Sequence, residues 1–161
     1  MKARSRARDP APEVELDELR AAVADGSVDT VLLAIADMEG RLQGKRLTAQ
    51  HFLGEILENG SEGCSYLLTV DPDMTTVGGY EMTSWDKGYG DFEMTPDLAT
   101  LRPVPWHEAT VMVMADANWH GDDPVVASPR QILKRQLDRL EERGLIANAA
   151  TELEFIVFKD T

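Results

Sequence analysis

Two glutamates alternate with apolar residues near the end of the 161-residue chain, in the run Thr151-Glu152-Leu153-Glu154-Phe155-Ile156-Val157-Phe158. The alternation predicts a strand with Leu153, Phe155 and Val157 on one face. Glu152 and Glu154 then share the other face, with α-carbons about 7 Å apart, two strand rises. Two carboxylates so placed repel each other, and burial would push one toward protonation. A divalent cation relieves that conflict, because hard ions such as Mg2+ and Mn2+ take oxygen ligands. A solvent-facing strand carrying two idle glutamates has the same spacing, so spacing alone leaves both readings open. Other chemistries lack their residues. His51, His107 and His120 are scattered without metal-ligand spacing, and no Ser/His/Asp order, Cys/His pair or Gly-rich phosphate loop supports nucleophilic hydrolysis or P-loop chemistry.

Composition sets the class of molecule. An apolar share of 43% with 28% charged residues belongs to a soluble, folding chain long enough for one domain and part of a second. The apolar runs, such as 31–36 and 111–115, fall far below the roughly 20 residues that cross a bilayer. The basic residues Lys2, Arg4, Arg6 and Arg8 have no apolar stretch behind them, so no secretory signal is read there. A single cysteine, Cys64, excludes an internal disulfide framework, fits a reducing cytoplasm and reads as a small core residue. A net charge of −13 argues against nucleic acid or an anionic membrane as partner, since phosphate contacts need clustered Lys and Arg.

The elements that must position the acidic groups follow from periodicity. Residues 1–12 read as a mobile tail. Val14, Leu16, Leu19 and Val23 make a short helical stripe that ends at Asp25-Gly26. Residues 28–36 read as a strand, 37–40 as a turn and 41–47 as the returning strand of a hairpin. Thr48 is placed to cap a helix carrying Phe52, Leu53, Ile56 and Leu57 and ending at Asn59-Gly60. A strand is expected over 65–70, a long and therefore functional loop over 71–98, and strands over 101–106 and 110–115. An acidic turn follows over 118–123. Ser128-Pro129 opens an amphipathic helix with Ile132, Leu133, Leu137 and Leu140 on its apolar side and Gly144 at its end. Trp85, Trp106 and Trp119 read as packing anchors.

Taken in order, these features resemble the glutamine synthetase family over roughly residues 28–161. The hairpin from Asp37-Met38-Glu39-Gly40-Arg41 to Arg46 looks like the opening of that family's N-terminal β-grasp domain. The stretch 90–100, with Asp91, Pro96, Asp97 and Thr100, is similar to its Asp-containing loop and following Pro-Asp-x-x-Thr turn. Ser128-Pro129-Arg130 before a helix resembles the lead into the catalytic domain, and Thr151 to Phe155 with Phe158 resembles its first strand, in which both glutamates are metal ligands. The resemblance implies an α+β fold: a β-grasp-like N-terminal domain over 13–121, then the first helix and strand of a glutamine-synthetase-type catalytic domain over 122–161.

The resemblance further implies an ATP-dependent ligase that phosphorylates the γ-carboxylate of glutamate and lets ammonia or a small amine attack the acyl phosphate. Mg2+ or Mn2+ would neutralise the phosphoryl group, with Glu154 on the ion nearer glutamate and Glu152 on the ion nearer ATP. Full-length members form ring-shaped homo-oligomers. The family's Phe-Asp-Gly-Ser-Ser loop, whose aspartate helps bind and deprotonate ammonium, is absent. The corresponding region runs from Thr69 to Tyr80 and offers Asp71 or Asp73 instead, with Asp91 as a further amine-site candidate. That departure favours the γ-glutamyl-polyamine and γ-glutamyl-ethanolamide synthetase branch over glutamine synthesis. Because the family's other metal ligands, ATP pocket and glutamate-binding arginines lie beyond this last strand, these residues are expected to be inactive alone. The alternative expectation is a non-catalytic β-grasp module that docks onto full-length synthetase subunits.

Overall fold

Alternating apolar residues on the strands set which face of the sheet is covered. The computed structural model describes residues 15–84, 86, 88, 90–121 and 123–159. The chain runs α1 (Leu16–Ala24), β1 (Thr30–Ala36), β2 (Leu42–Thr48), α2 (49–59), β3 (Ser61–Cys64), β4 (Asp91–Pro103), β5 (Thr110–Trp119), β6 (Asp123–Pro124) and α3 (Pro129–Glu141). The sheet order is β2-β1-β5-β4-β3, with β6 paired to β5. β1 and β5 run parallel at the centre, and the other pairs are antiparallel. The side chains of Val31, Leu33 and Ile35 on β1, and of Val111, Val113 and Ala115 on β5, pack with Leu19 of α1 and Phe52 and Ile56 of α2. The opposite face holds a smaller cluster of Ala34, Val104 and Met112. The mixed α+β class expected from the sequence is what forms.

Several expected elements form where the sequence puts them. The β1–β2 hairpin is in register from Thr30 opposite Thr48 to Ala36 opposite Leu42. The Thr48 hydroxyl caps α2 by accepting from the His51 amide at 3.3 Å. Within α2, Phe52–Ile56 is π-helical between α-helical ends, and Gly60, at φ +67, closes it. Pro129 occupies the first turn of α3 after Ser128.

Other expectations need correction. The strand expected over 65–70 lies earlier, at Ser61–Cys64, because Gly60 turns the chain directly into pairing with β4; Ser65–Leu68 is a 3-10 turn. The loop expected over 71–98 ends at Gly90, since Phe92 and Met94 alternate into the core and start β4. The Pro-Asp-x-x-Thr turn survives as an irregularity inside β4: the register slips between Asp97 and Arg102, and the Thr100 hydroxyl donates to the Asp97 carbonyl at 2.6 Å. Trp106 is 72% exposed and anchors nothing, whereas Trp119 packs against the core; Trp85 lies outside the described residues, as do residues 1–14. Cys64 is only half-buried, at the end of β3.

The strand expected over 151–158 does not form. That segment has no regular structure, and Leu153, Phe155, Val157 and Phe158 are about four-fifths exposed. A strand needs a neighbour for its backbone N–H and C=O groups and a cover for its apolar face. Among the described residues, nothing supplies either one. The apolar side of α3 is likewise open, with Ile132, Leu133 and Leu137 exposed.

Candidate functional site

Thr69 to Val77 form a tightly built acidic turn. The Val77 amide donates to the Thr69 carbonyl at 2.8 Å, and Val70 and Thr76 form a β-bridge. Inside that bridge the Asp71 amide donates to the Thr75 carbonyl at 2.9 Å. Asp71 Oδ1 accepts from the Asp73 amide at 3.0 Å and the Thr75 amide at 2.9 Å, the self-capping that makes aspartate a turn former. Met74 sits at φ +64, an unusual setting for a side chain that is not glycine. The two candidates are thereby separated. Asp71 is engaged in holding the turn, while Asp73 is exposed and its carboxylate has no partner among the described residues.

The turn is tied to the β1–β2 hairpin by a side chain that sequence reasoning did not single out. Arg41 Nη1 donates to the Pro72 carbonyl at 2.7 Å and Nη2 to the Asp71 carbonyl at 3.1 Å. Its Nε pairs with Asp37 Oδ2 at 2.8 Å. Gln43 Nε2 reaches both Asp37 Oδ2, at 3.0 Å, and the Met74 sulfur, at 3.3 Å. The side chain of Asp37 is fully buried, and burial by itself would raise its carboxyl pKa. Hydrogen bonds from Gln43, from the Arg41 amide and guanidinium, and from the Glu39 amide outweigh burial and hold the group below the usual carboxylate range.

The remaining candidates are not gathered here. Asp91 opens β4 opposite Cys64 and lines a depression of about 460 Å³ with Lys45, Glu62 and Tyr66; neither Asp71 nor Asp73 lines it. Glu152 and Glu154 are exposed on the unpaired final segment. Among the described residues no group of three or more His, Cys, Asp or Glu is placed to hold a metal. The pair is right in kind for a hard cation and short in number, because an octahedral ion needs further ligands.

A second ionic cluster docks α3 on the sheet. Arg130 Nε donates to Asp116 Oδ1 at 2.8 Å and its Nη2 pairs with Asp97, while Lys134 Nζ reaches Asp116 Oδ2 at 2.6 Å. The sequence quoted Asp97 and Arg130 only as parts of separate motifs. Their pairing spans 33 residues, and no local pattern announces it.

Comparison with known proteins places these features. Residues 126–161 match the catalytic domain of glutamine synthetase. Over 153 residues, 95% of this chain and 33% of the relative, it is 60% identical to a gamma-glutamylethanolamide synthetase of Streptomyces coelicolor. Over nearly its whole length the chain is similar to members of the glutamine synthetase family. It is also 35% identical to a glutamate–isopropylamine ligase of a Pseudomonas species, over 84% of this chain and 29% of the relative. A solved GmaS–ADP complex shares the fold with a TM-score of 0.61 at 21% identity, covering 78% of this chain and 26% of that one. The chain thus spans about a third of the length of the curated relatives it matches. Within the family frame, the matched catalytic-domain stretch contains α3, Arg130 and both glutamates. The acidic turn and its arginine clamp lie ahead of that stretch, at the β1–β2 turn and in the segment between β3 and β4. No helix among the described residues is long and apolar enough to cross a membrane.

Proposed function

We propose that these residues are the front part of an ATP-dependent ligase that joins the γ-carboxylate of glutamate to a small amine. The observation that carries the reading is 60% identity across 95% of the chain to a gamma-glutamylethanolamide synthetase. In this reading residues 13–121 are the β-grasp-like N-terminal domain, and 122–161 begin the catalytic domain with its first helix and strand. Full-length subunits assemble into a ring in the cytoplasm, and the 161 residues alone are inactive.

The chemistry would run in two steps. ATP transfers its γ-phosphoryl group to the glutamate γ-carboxylate, giving ADP and γ-glutamyl phosphate. The amine nitrogen then attacks the acyl carbon, the carbon–oxygen bond to phosphate breaks, and inorganic phosphate leaves with the electron pair. Glu152 and Glu154 would supply oxygen ligands to Mg2+ or Mn2+, which spreads the charge of the transferring group. An aliphatic amine is protonated at neutral pH and cannot attack until it loses a proton. Asp73, with a free carboxylate at the apex of the turn, suits holding the ammonium form and accepting that proton. Asp71 shapes the turn, and Asp91 stands apart as a secondary candidate.

The test uses the full-length protein as its cells make it, with ATP and glutamate, and compares ethanolamine, isopropylamine and ammonium. Glutamate-dependent ADP release with γ-glutamylethanolamide found by mass spectrometry is expected, with ammonium the poorer acceptor. Glutamine as the main product would refute the amine branch, and no glutamate-dependent ADP release would refute the ligase.

A further inference from the structure

We infer that Arg41 is a positioning residue for amine recognition: its guanidinium fork fixes the carbonyls of Asp71 and Pro72 and so sets where the Asp73 carboxylate stands. The inference rests on the reading of Asp73 given above and adds to it a residue from a different element, about 30 positions earlier in the chain. A guanidinium presents rigid, coplanar donors, so two bonds to consecutive carbonyls fix both distance and tilt of the turn. Arg41 is itself fixed, because the fully buried Asp37 holds its Nε and Gln43 braces both Asp37 and Met74. The clamp therefore runs from the buried Asp37 in the β1–β2 turn to the residue beside Asp73.

Charge supports the same role. An unpaired arginine next to the turn would repel an ammonium ion, since like charges in partly desolvated surroundings interact strongly. Asp37 compensates Arg41, its side chain fully buried against the guanidinium. A cationic amine then meets the charge of Asp73 with no net positive charge behind it.

The test measures KM for ethanolamine, glutamate and ATP in the full-length protein for Arg41→Ala, Arg41→Lys and Asp73→Asn, with amide hydrogen exchange read on the same variants. Arg41→Ala is expected to raise the ethanolamine KM about tenfold, the lower end of what hydrogen bonds to a charged group are worth. The KM values for glutamate and ATP should stay within about twofold, because the turn touches neither partner in this reading. Arg41→Lys keeps the charge and loses the fork, so its ethanolamine KM should rise about threefold. Exchange should speed up at the Asp73 and Thr75 amides while β5 stays protected. If Asp73→Asn raises the ethanolamine KM and Arg41→Ala does not, the inference fails and the amine-site reading survives. If neither variant moves it, both fail. Should Arg41→Ala lose β5 protection, Arg41→Lys decides, and an unchanged ethanolamine KM in that variant overturns the proposal.

Discussion

The two ends of this molecule treat apolar residues in opposite ways. From α1 to Val125 the sheet and its two helices bury Leu19, Phe52, Phe92 and their neighbours almost completely. From Val126 onward, a helix with an apolar side and a run of large apolar residues stand in solvent. Both regions have the patterning of folded protein, so patterning alone does not make structure. A strand or amphipathic helix is stable only where another surface completes its burial and hydrogen bonding. The first region contains its own complementary surfaces. The second, which is the stretch matching the glutamine synthetase catalytic domain, is tied to the sheet by polar contacts: the Arg130 cluster, and Gln131 Nε2 donating to Asn118 Oδ1 at 3.5 Å.

Matched substitutions sharpen that contrast. Phe92→Ala in the 161-residue chain should lose about 3–5 kcal/mol, the usual cost of emptying a fully buried phenylalanine site. Urea melts followed by tryptophan fluorescence would measure it. Gly44→Ala should cost about 2–3 kcal/mol, because its new Cβ would lie 1.9 Å from the Leu33 carbonyl oxygen across the hairpin. An unchanged melting curve for that variant would mean that β1 and β2 do not pair as described.

Arg130→Ala should cost about 1 kcal/mol or less, since its ion pairs are partly solvated. Its signature is local: faster amide exchange throughout α3 with β1 and β5 still protected. Phe155→Ala should shift stability by less than about 0.5 kcal/mol, as expected of a side chain that contacts no core. A loss above 1 kcal/mol at Phe155 would break the comparison, because it would require the final segment to be packed.

Acid adds a probe of the clamp inside the self-contained region. Asp37 has a folded pKa below its ordinary value of 3.8. Its contribution to stability is therefore present above the unfolded pKa and is lost as pH falls through the folded one. The stability of Asp37→Asn should fall less steeply with acid below about pH 4 than that of the parent chain. Equal acid slopes in the two proteins would show that Asp37 does not titrate as the hydrogen bonds require.

Legibility followed the range of the interactions. The β1–β2 hairpin was readable because an apolar run, a Gly40 turn and a returning strand lie within 20 residues. The Thr48 cap and the Ser128-Pro129 start were readable because capping is local. β3 was displaced in the reading because Ser61-Glu62-Gly63-Cys64 carries little strand propensity and is held by its pairing with β4. β4 was read too short because Pro96 and Asp97 mark a turn, which the sheet absorbs as a register slip. The clamp from Arg41 to Pro72 was invisible, since it joins residues 31 apart through main-chain carbonyls that have no sequence signature. The opposite error occurred at Thr151 to Phe158, where a clear alternation predicted a strand that lacks a neighbour among the described residues.

The proposed ligase chemistry requires Glu152 and Glu154 to act as metal ligands in the full-length protein. The most direct measurement is Mn2+ binding to the full-length protein, by titration calorimetry, beside a variant carrying Glu152→Ala and Glu154→Ala. The double variant should lose at least one Mn2+ site and with it glutamate-dependent ADP release. Equal Mn2+ stoichiometry and affinity in the two proteins would show that neither glutamate is a metal ligand.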